Sequence, residues 1–403
     1  MSRRFSQSRW MLTSGVARAA VAFGANLVLV RFIDPSGFGT FALRHAAISL
    51  VLTFISLRVG VIVIRLQESE FSAADRGLYW SVTLHETVFA GLLAGGWLLA
   101  TGDLTQVTGI LLVGILLQHI STNAIAFYER KQPYRRIATL ETISQLTAHA
   151  IAIGLVLAGA GAFALYLREL AIPLLTGSAL IALGAMPRER PRLLRASEWR
   201  AVARQARGLW LEGMLEGAFA RVTVLLAGAV GGASGAGLLF QARRLAVVPQ
   251  QLLSPVTSRL ALNWFSRESG SAARRRSALR LLGLLTPPLV LVTVLSIAFA
   301  TPVVPVLFGE RWEASAGLLV AMSGIVLFYA PFAIVKNLLL AERRTRYVIA
   351  ARLAQFAGLG LPLAGVLFGR AVGIEQVAFG LSVAFALAFV TCLVFSFRKE
   401  PTT

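Results

Sequence analysis

The residues in this chain best equipped for chemistry are charges set in apolar sequence. Arg18 and Arg44 lie on either side of a hairpin-like stretch, in which Val21 to Val30 leads into the polar turn Asp34-Pro35-Ser36-Gly37 and then into a second apolar run. A weaker copy occurs in the second half of the chain. There Arg221 precedes the run Val222 to Val230, which leads through Gly231, Gly232, Ser234, Gly235 and Gly237 to Arg243 and Arg244. Gly37 and Gly39 fall on Gly235 and Gly237 without a gap. Arginine presents a planar fork of donors suited to carboxylate and phosphate, so Arg18, Arg44, Arg221, Arg243 and Arg244 are the candidate substrate-binding residues, with an anion as the ligand they suit.

A second set of residues can titrate. His85 and Glu86 are adjacent, His119 lies on the next apolar segment, and Glu216 follows Glu212 by four residues, which stacks the two glutamates on one helix face. These groups suit ion or proton coupling, and hydrogen bonding between helices is the simpler alternative. No pair has the His-x-x-x-His or Glu-x-x-His spacing that would place two ligands on one face, so no metal and no cofactor are expected. There is no nucleophile elbow, no HExxH and no Walker A sequence, and an enzyme is not expected.

The elements that must position these residues are membrane spans. Of the 403 residues, 56% are hydrophobic and only 14% charged, with a mean hydropathy of +0.72. Soluble domains carry about 25% charged residues. A helical span needs about 20 apolar residues, and twelve such segments fill the chain: 11–32, 38–57, 79–100, 106–128, 137–159, 163–185, 208–230, 236–258, 281–308, 315–340, 347–367 and 374–397. A further apolar patch, Val59 to Ile64, reads either as a broken continuation of the second span or as an interfacial piece. The N-terminal segment lacks a small-residue cleavage site and reads as the first span. The single cysteine, Cys392, excludes a disulfide framework.

The net charge of +20 is mostly a topology signal. Almost every loop Lys and Arg falls on the side of the membrane that carries the termini, and the opposite side holds only Arg31, Arg311 and Arg370. Cytoplasmic loops accumulate basic residues, so both termini are expected in the cytoplasm and nucleic acid is not an expected partner. Eight cations remain within the spans: Arg18, Arg44, Arg168, Arg221, Arg243, Arg244, Lys336 and Arg352. Each costs about 2.5–3.5 kcal/mol at the bilayer centre, so each must meet water, a counter-ion or the interface. For Arg352 and Lys336, one turn from a cytoplasmic end, snorkelling is the expected reading, with lining the cavity as the alternative. Arg44, Arg221, Arg243 and Arg244 sit deeper and are expected to face an internal cavity, and Arg18 fits either reading. Arg168 and Glu169 are neighbours and do not share a helix face, so one of them is expected to pair with another helix.

Residues 187–207 form the longest connection, basic and cytoplasmic. Its segment SEWRAVARQAR places Trp199 and Ala203 on one face, which predicts an amphipathic helix on the anionic inner leaflet. The linker divides the chain into six-span halves, 1–186 and 208–403. A second internal echo supports the duplication. Glu129-Arg130-Lys131 before Tyr134 matches Glu342-Arg343-Arg344 before Tyr347, each after the fourth span of its half.

Four stretches carry a family resemblance: LVLVRFIDPSGFGTFAL (27–43), AIAFYERKQPYRRIATLETISQL (124–146), QARRLAVVPQQLLSPV (241–256) and VLFGERWEASAGLL (306–319). With these the chain resembles the bacterial polysaccharide biosynthesis proteins, the Wzx-like oligosaccharide-lipid flippases of the multidrug/oligosaccharidyl-lipid/polysaccharide exporter superfamily. The resemblance implies an all-α, MATE-like fold of twelve helices in two six-helix lobes around a central cavity, in the cytoplasmic membrane. It implies alternating access, with an undecaprenyl-pyrophosphate-linked sugar as substrate and a glycan polymerase or glycosyltransferases as further partners. Where the family leads one to expect an acid, this chain has Thr223. The rival readings are a cation-coupled multidrug exporter of the same superfamily and a membrane scaffold for glycan assembly.

Overall fold

The structure is a computed structural model that describes residues 19–66, 71–131, 133–254, 257, 261, 265, 268 and 270–398. Among the described residues there is no strand, and each of the twelve expected segments has most of its described residues on helical backbone; residues 11–18 of the first segment and 255, 256 and 258 of the eighth lie outside the described residues. Helix α1 spans Ala19–Phe32, α2 Pro35–Ile55, α3 Val59–Arg65, α4 Ala73–Ala100, α5 Gln106–Glu129, α6 Tyr134–Leu157 and α7 Phe163–Ala182. Then come α8 Ala196–Ala246, α9 Val248–Ser254, α10 Ser271–Phe308, α11 Ala314–Ala321, α12 Ser323–Ala341, α13 Thr345–Ala357, α14 Gly360–Leu367 and α15 Ile374–Phe397. Among the described residues nine helices are long and apolar enough to cross a membrane, and the bent pair α13 and α14, at 52° to each other, makes a tenth. That total counts α8 once, although Gly232 at φ 64°, ψ −165° folds it into two helices that match the seventh and eighth expected spans.

Local sequence explains the helix starts. Asp34 precedes Pro35, which has no N–H to leave unsatisfied at the first helical position. Its carboxylate accepts the Gly37 N–H at 3.1 Å and the Ser36 hydroxyl at 2.5 Å. The hydroxyl bond from Ser36 is the main reason the Asp34 carboxyl lies below the usual carboxylate range. Ser72 and Asp75 close a reciprocal capping box at the head of α4, and Thr105 and Thr108 close another at the head of α5. The apolar patch Val59 to Ile64 lies in the short helix α3, set off from α2 by the non-helical residues 56–58.

The chain divides into two compact units. The first takes in the described residues to Ile33 together with Arg44–Ala218. Within it α5 packs against α3, α4 and α7, and α6 packs against α7. The second takes in Asp34–Leu43 and the chain from Phe219 onward. Its core is α15 laid against α11, α12 and α13. Trp312 is fully buried there, edge-on to Phe38 and to Phe308 at 5.5 and 6.4 Å.

Gly39 and Gly237, the glycines equated by the internal repeat, meet each other in this second unit. A Cβ on Gly39 would overlap the Ala233 carbonyl, and one on Gly237 would overlap the Pro35 carbonyl. Because backbone, not a flexible side chain, blocks the space, neither position has room to relax. Gly237→Ala is therefore expected to lower stability by about 1–3 kcal/mol, the usual cost of overpacking, read as a fall in the thermal midpoint of the detergent-solubilised protein. An unchanged midpoint would show that the helices do not approach this closely.

Candidate functional site

The charged residues of the spans are held by short-range partners that differ from one to the next. Arg44, in the third turn of α2, donates to Asp103 at 3.0 Å and to the Tyr166 hydroxyl at 3.4 Å. Asp103 belongs to the short loop between α4 and α5, so Arg44 reaches a loop acid and does not hang in apolar surroundings. Arg243, near the end of α8, donates to the carbonyl of Ala220 at 3.3 Å. This bond crosses the fold at Gly232 and places Arg243 beside the residue preceding Arg221. Arg221 and Arg244 are partly buried on the two arms of the same helix. Arg18 lies outside the described residues.

One sequence-based expectation for the other cations is corrected, that for Arg352. Arg352 does not snorkel: it is 3% exposed, donates to Gln355 at 3.0 Å and lies 5.0 Å above the Phe332 ring. Helix depth alone cannot reveal that an aromatic face and an amide are waiting inside the protein. Arg168 and Glu169 pair with each other at 2.8 Å. Neighbours diverge at Cβ, but both side chains are long enough to fold back. His45 and His149 lie within electrostatic reach of Glu169.

The titratable set separates into parts. Glu86 is 2% exposed, and its Oε2 meets His119 Nε2 at 3.1 Å. His85, next along α4, faces elsewhere: its Nδ1 meets the Ser81 carbonyl at 2.6 Å, and its ring is edge-on to Trp199. Glu216 is partly buried on α8. Among the described residues no three His, Cys, Asp or Glu side chains converge as a metal site would require. Thr223 is fully buried and donates to the Phe219 carbonyl at 2.7 Å. Phe219 in turn packs edge-on against Phe356 and Phe385, so apolar packing and a satisfied hydroxyl surround this position.

The residues that the sequence reading missed are Asp103, Asn123 and His149. Asp103 had a signal: it is the one acid in the loop between the third and fourth spans, on the side toward which Arg44 lies. Asn123 and His149 carried no signal that separates them from other polar residues in apolar helices.

The break between α2 and α3 is where polar side chains converge most densely. Residues 56–58 leave the helix, with Arg58 at φ 63°, a conformation uncommon outside glycine. Leu57 N–H donates to Glu86 Oε1 at 2.7 Å and Gly60 N–H to Asn123 Oδ1 at 2.8 Å. On the carbonyl side, Trp210 Nε1 donates to Phe54 O at 2.9 Å, and Arg130 donates to Val63 O and Leu66 O at 2.6 and 2.8 Å. Arg130 also lies 4.2 Å over the Phe71 ring. Its counterpart in the second half, offset by one position in the repeat, is Arg344. That residue donates to the Arg398 carbonyl at the end of α15 and lies over Tyr347.

The linker is folded onto the first unit. Val202 and Ala206 are buried, with Trp199 and Leu194 packed alongside, in a core that includes Tyr79 and Trp80 of α4. Tyr79 donates to Gln205 at 2.7 Å, and Arg76 to Glu189 at 2.6 Å. The amphipathic pattern therefore marks a face buried against protein, not one laid on lipid, and Ala203 is exposed.

An all-helical chain with buried charges and broken spans defines the class, a polytopic membrane protein, and the solved structures it resembles give its fold. It superposes on the lipid II flippase MurJ in an inward closed conformation at a TM-score of 0.72 and 11% identity, over 95% of this chain and 86% of that one. The inward-facing conformation of a multidrug resistance MATE family transporter of the MOP superfamily matches at 0.60 and 13%, over 94% and 93%. A Vibrio cholerae MATE transporter matches at 0.62 and 12%, over 98% and 97%. No curated protein matches the sequence. Residues 28–317 match the family model described as polysaccharide biosynthesis protein, and the chain belongs to that family.

One local prediction concerns the linker. Glu198 accepts the Arg195 N–H at 2.8 Å and both arms of the Arg192 guanidinium at 2.6 and 3.1 Å. The Arg192 bond, then the Arg195 backbone bond, pulls its carboxyl down to about 2. A carboxyl lowered on folding stabilises the fold fully above its ordinary range near pH ~4.3, and the contribution is lost as pH falls through about 2. Glu198→Gln removes the charge at every pH. Trypsin is expected to cut the arginines of 188–195 several-fold faster in this variant at neutral pH, and equal cutting would mean that Glu198 does not hold the linker.

Proposed function

We propose that this protein is a transporter that moves a polyprenyl-pyrophosphate-linked oligosaccharide or polysaccharide precursor across the bacterial cytoplasmic membrane by alternating access. The observation that carries the reading is the sign of the charge within the spans. The eight cations there outnumber the four acids Glu86, Glu169, Glu212 and Glu216. Glu86 meets His119 and Glu169 meets Arg168. A basic interior suits a pyrophosphate, which accepts paired hydrogen bonds from guanidinium, and disfavours an organic cation. Membership of the polysaccharide biosynthesis family supports a glycan as cargo, and the fold shared with a lipid II flippase supports a lipid-linked one.

Arg44 in the first unit and Arg221, Arg243 and Arg244 in the second are the residues proposed to meet the head group. The asymmetry of loop charge supports cytoplasmic termini. Glycosyltransferases or a glycan polymerase acting on the same precursor are the proposed partners.

The test is replacement of Arg44 and Arg244 together by Ala in a strain that depends on the protein for surface glycan, with membrane insertion verified by fractionation. Loss of most surface glycan is expected. Normal glycan would remove these arginines from the site.

A further inference from the structure

The break between α2 and α3 holds a carboxylate where an uncharged acceptor would suffice. Backbone groups freed by a helix break and buried away from water must be satisfied by side chains. Asn123 does this for Gly60 N–H as a neutral amide. For Leu57 N–H the acceptor is Glu86, nearly inaccessible to solvent and shared with His119. Burying a charge is costly unless it is used, and here its two oxygens accept from two donors, the break and the imidazole. Asn123 closes the arrangement, because its Nδ2 donates to the His119 carbonyl at 3.0 Å while its Oδ1 takes Gly60 N–H. Both members of the acid–imidazole pair are thus tied to the same break.

We propose that the Glu86–His119 pair is a proton-binding site that latches the break between α2 and α3. Without the extra proton, carboxylate Oε2 accepts from His119 Nε2–H and Oε1 accepts a charge-assisted bond from Leu57 N–H. One proton from water adds to Oε2, and His119 moves its own proton to Nδ1 so that Nε2 accepts the new O–H. In so dry a site the neutral acid–imidazole pair avoids the burial of two charges. Leu57 N–H is then left facing a neutral carbonyl-type oxygen, a markedly weaker acceptor. The proton therefore loosens the carboxylate's hold on the break, while Trp210, Asn123 and Arg130 keep α2 and α3 intact on either side.

Two charged or titratable groups near the pair in the chain have other neighbours. Arg58, in the break itself, lies over Gly213 of α8, where a Cβ would come within 2.7 Å of the guanidinium. His85 on α4 turns to Ser81 and Trp199.

Because the latch is a property of the protein without substrate, its test is separable from the transport reading. Hydrogen–deuterium exchange of the peptide carrying Leu57 and Gly60 is measured in the purified protein at about pH 8 and about pH 5, with intrinsic rates divided out. Opening about five-fold more frequent at the lower pH is expected in the wild type, the difference between a charged and a neutral acceptor. Glu86→Gln, which keeps the acceptor oxygen and loses the charge, is expected to exchange at the faster rate at both pH values. Three results would overturn the proposal: wild-type exchange that does not change with pH, a Glu86→Gln protein that retains the wild-type pH response, or an equal acceleration in α12, which would report general loosening. The wild-type comparison and the α12 control decide the matter even where the variant fails to fold.

Discussion

A backbone N–H or C=O that leaves its helix inside a bilayer must find a protein partner, since lipid offers none. Much of this structure follows from that constraint. Helix α2 gives way to α3 at residues 56–58, where the freed groups are taken up by Glu86, Asn123 and Trp210, and Arg130 takes the carbonyls at the far end of α3. The long helix α8 turns at Gly232, the residue type that tolerates positive φ without strain, and Arg243 then reaches the Ala220 carbonyl on the other arm. Irregular backbone recurs in the second unit, where α13 and α14 meet at 52°. Polar side chains in these spans are thus committed to the backbone as well as to one another.

The same constraint sorts the charges. A cation in an apolar helix persists when an acid, a carbonyl or an aromatic face meets it, and each solution appears: Asp103 for Arg44, Glu169 for Arg168, the Ala220 carbonyl for Arg243, and Phe332 with Gln355 for Arg352. Glu86 is the converse, an acid in a basic interior held by an amide N–H and an imidazole. With acids scarce in the spans and some already engaged, an incoming anion meets less competition for arginine than an incoming cation meets for carboxylate. This is the physical ground for preferring a pyrophosphate-linked substrate.

The helices were legible in the sequence because hydropathy and capping are local. Asp34-Pro35 and Gly232 each fall between expected spans and mark a boundary that the structure keeps, whereas the capping box of Ser72 and Asp75 starts α4 ahead of the expected third span. The equivalence of Gly39 and Gly237 was legible as a repeat, but their mutual contact was not, since nothing local says that two equivalent turns touch. Pairings between helices escaped for the same reason. An amphipathic pattern at 196–207 shows that one face is buried without saying whether in lipid or protein, and Val202 and Ala206 are buried in protein. Depth along a helix suggested that Arg352 would reach for the interface, whereas its partners lie inward.

The central claim, that a basic membrane interior selects an anionic lipid-linked glycan, is tested most directly by reconstitution. The purified protein is placed in liposomes with a short-chain polyprenyl-pyrophosphate-linked sugar, or with the matching polyprenyl sugar lacking phosphate, and the arrival of sugar at the opposite leaflet is followed. Protein-dependent movement of the pyrophosphate lipid, with little movement of its uncharged counterpart, is the expected result. Equal movement of both lipids, or export of an organic cation in place of either, would contradict it.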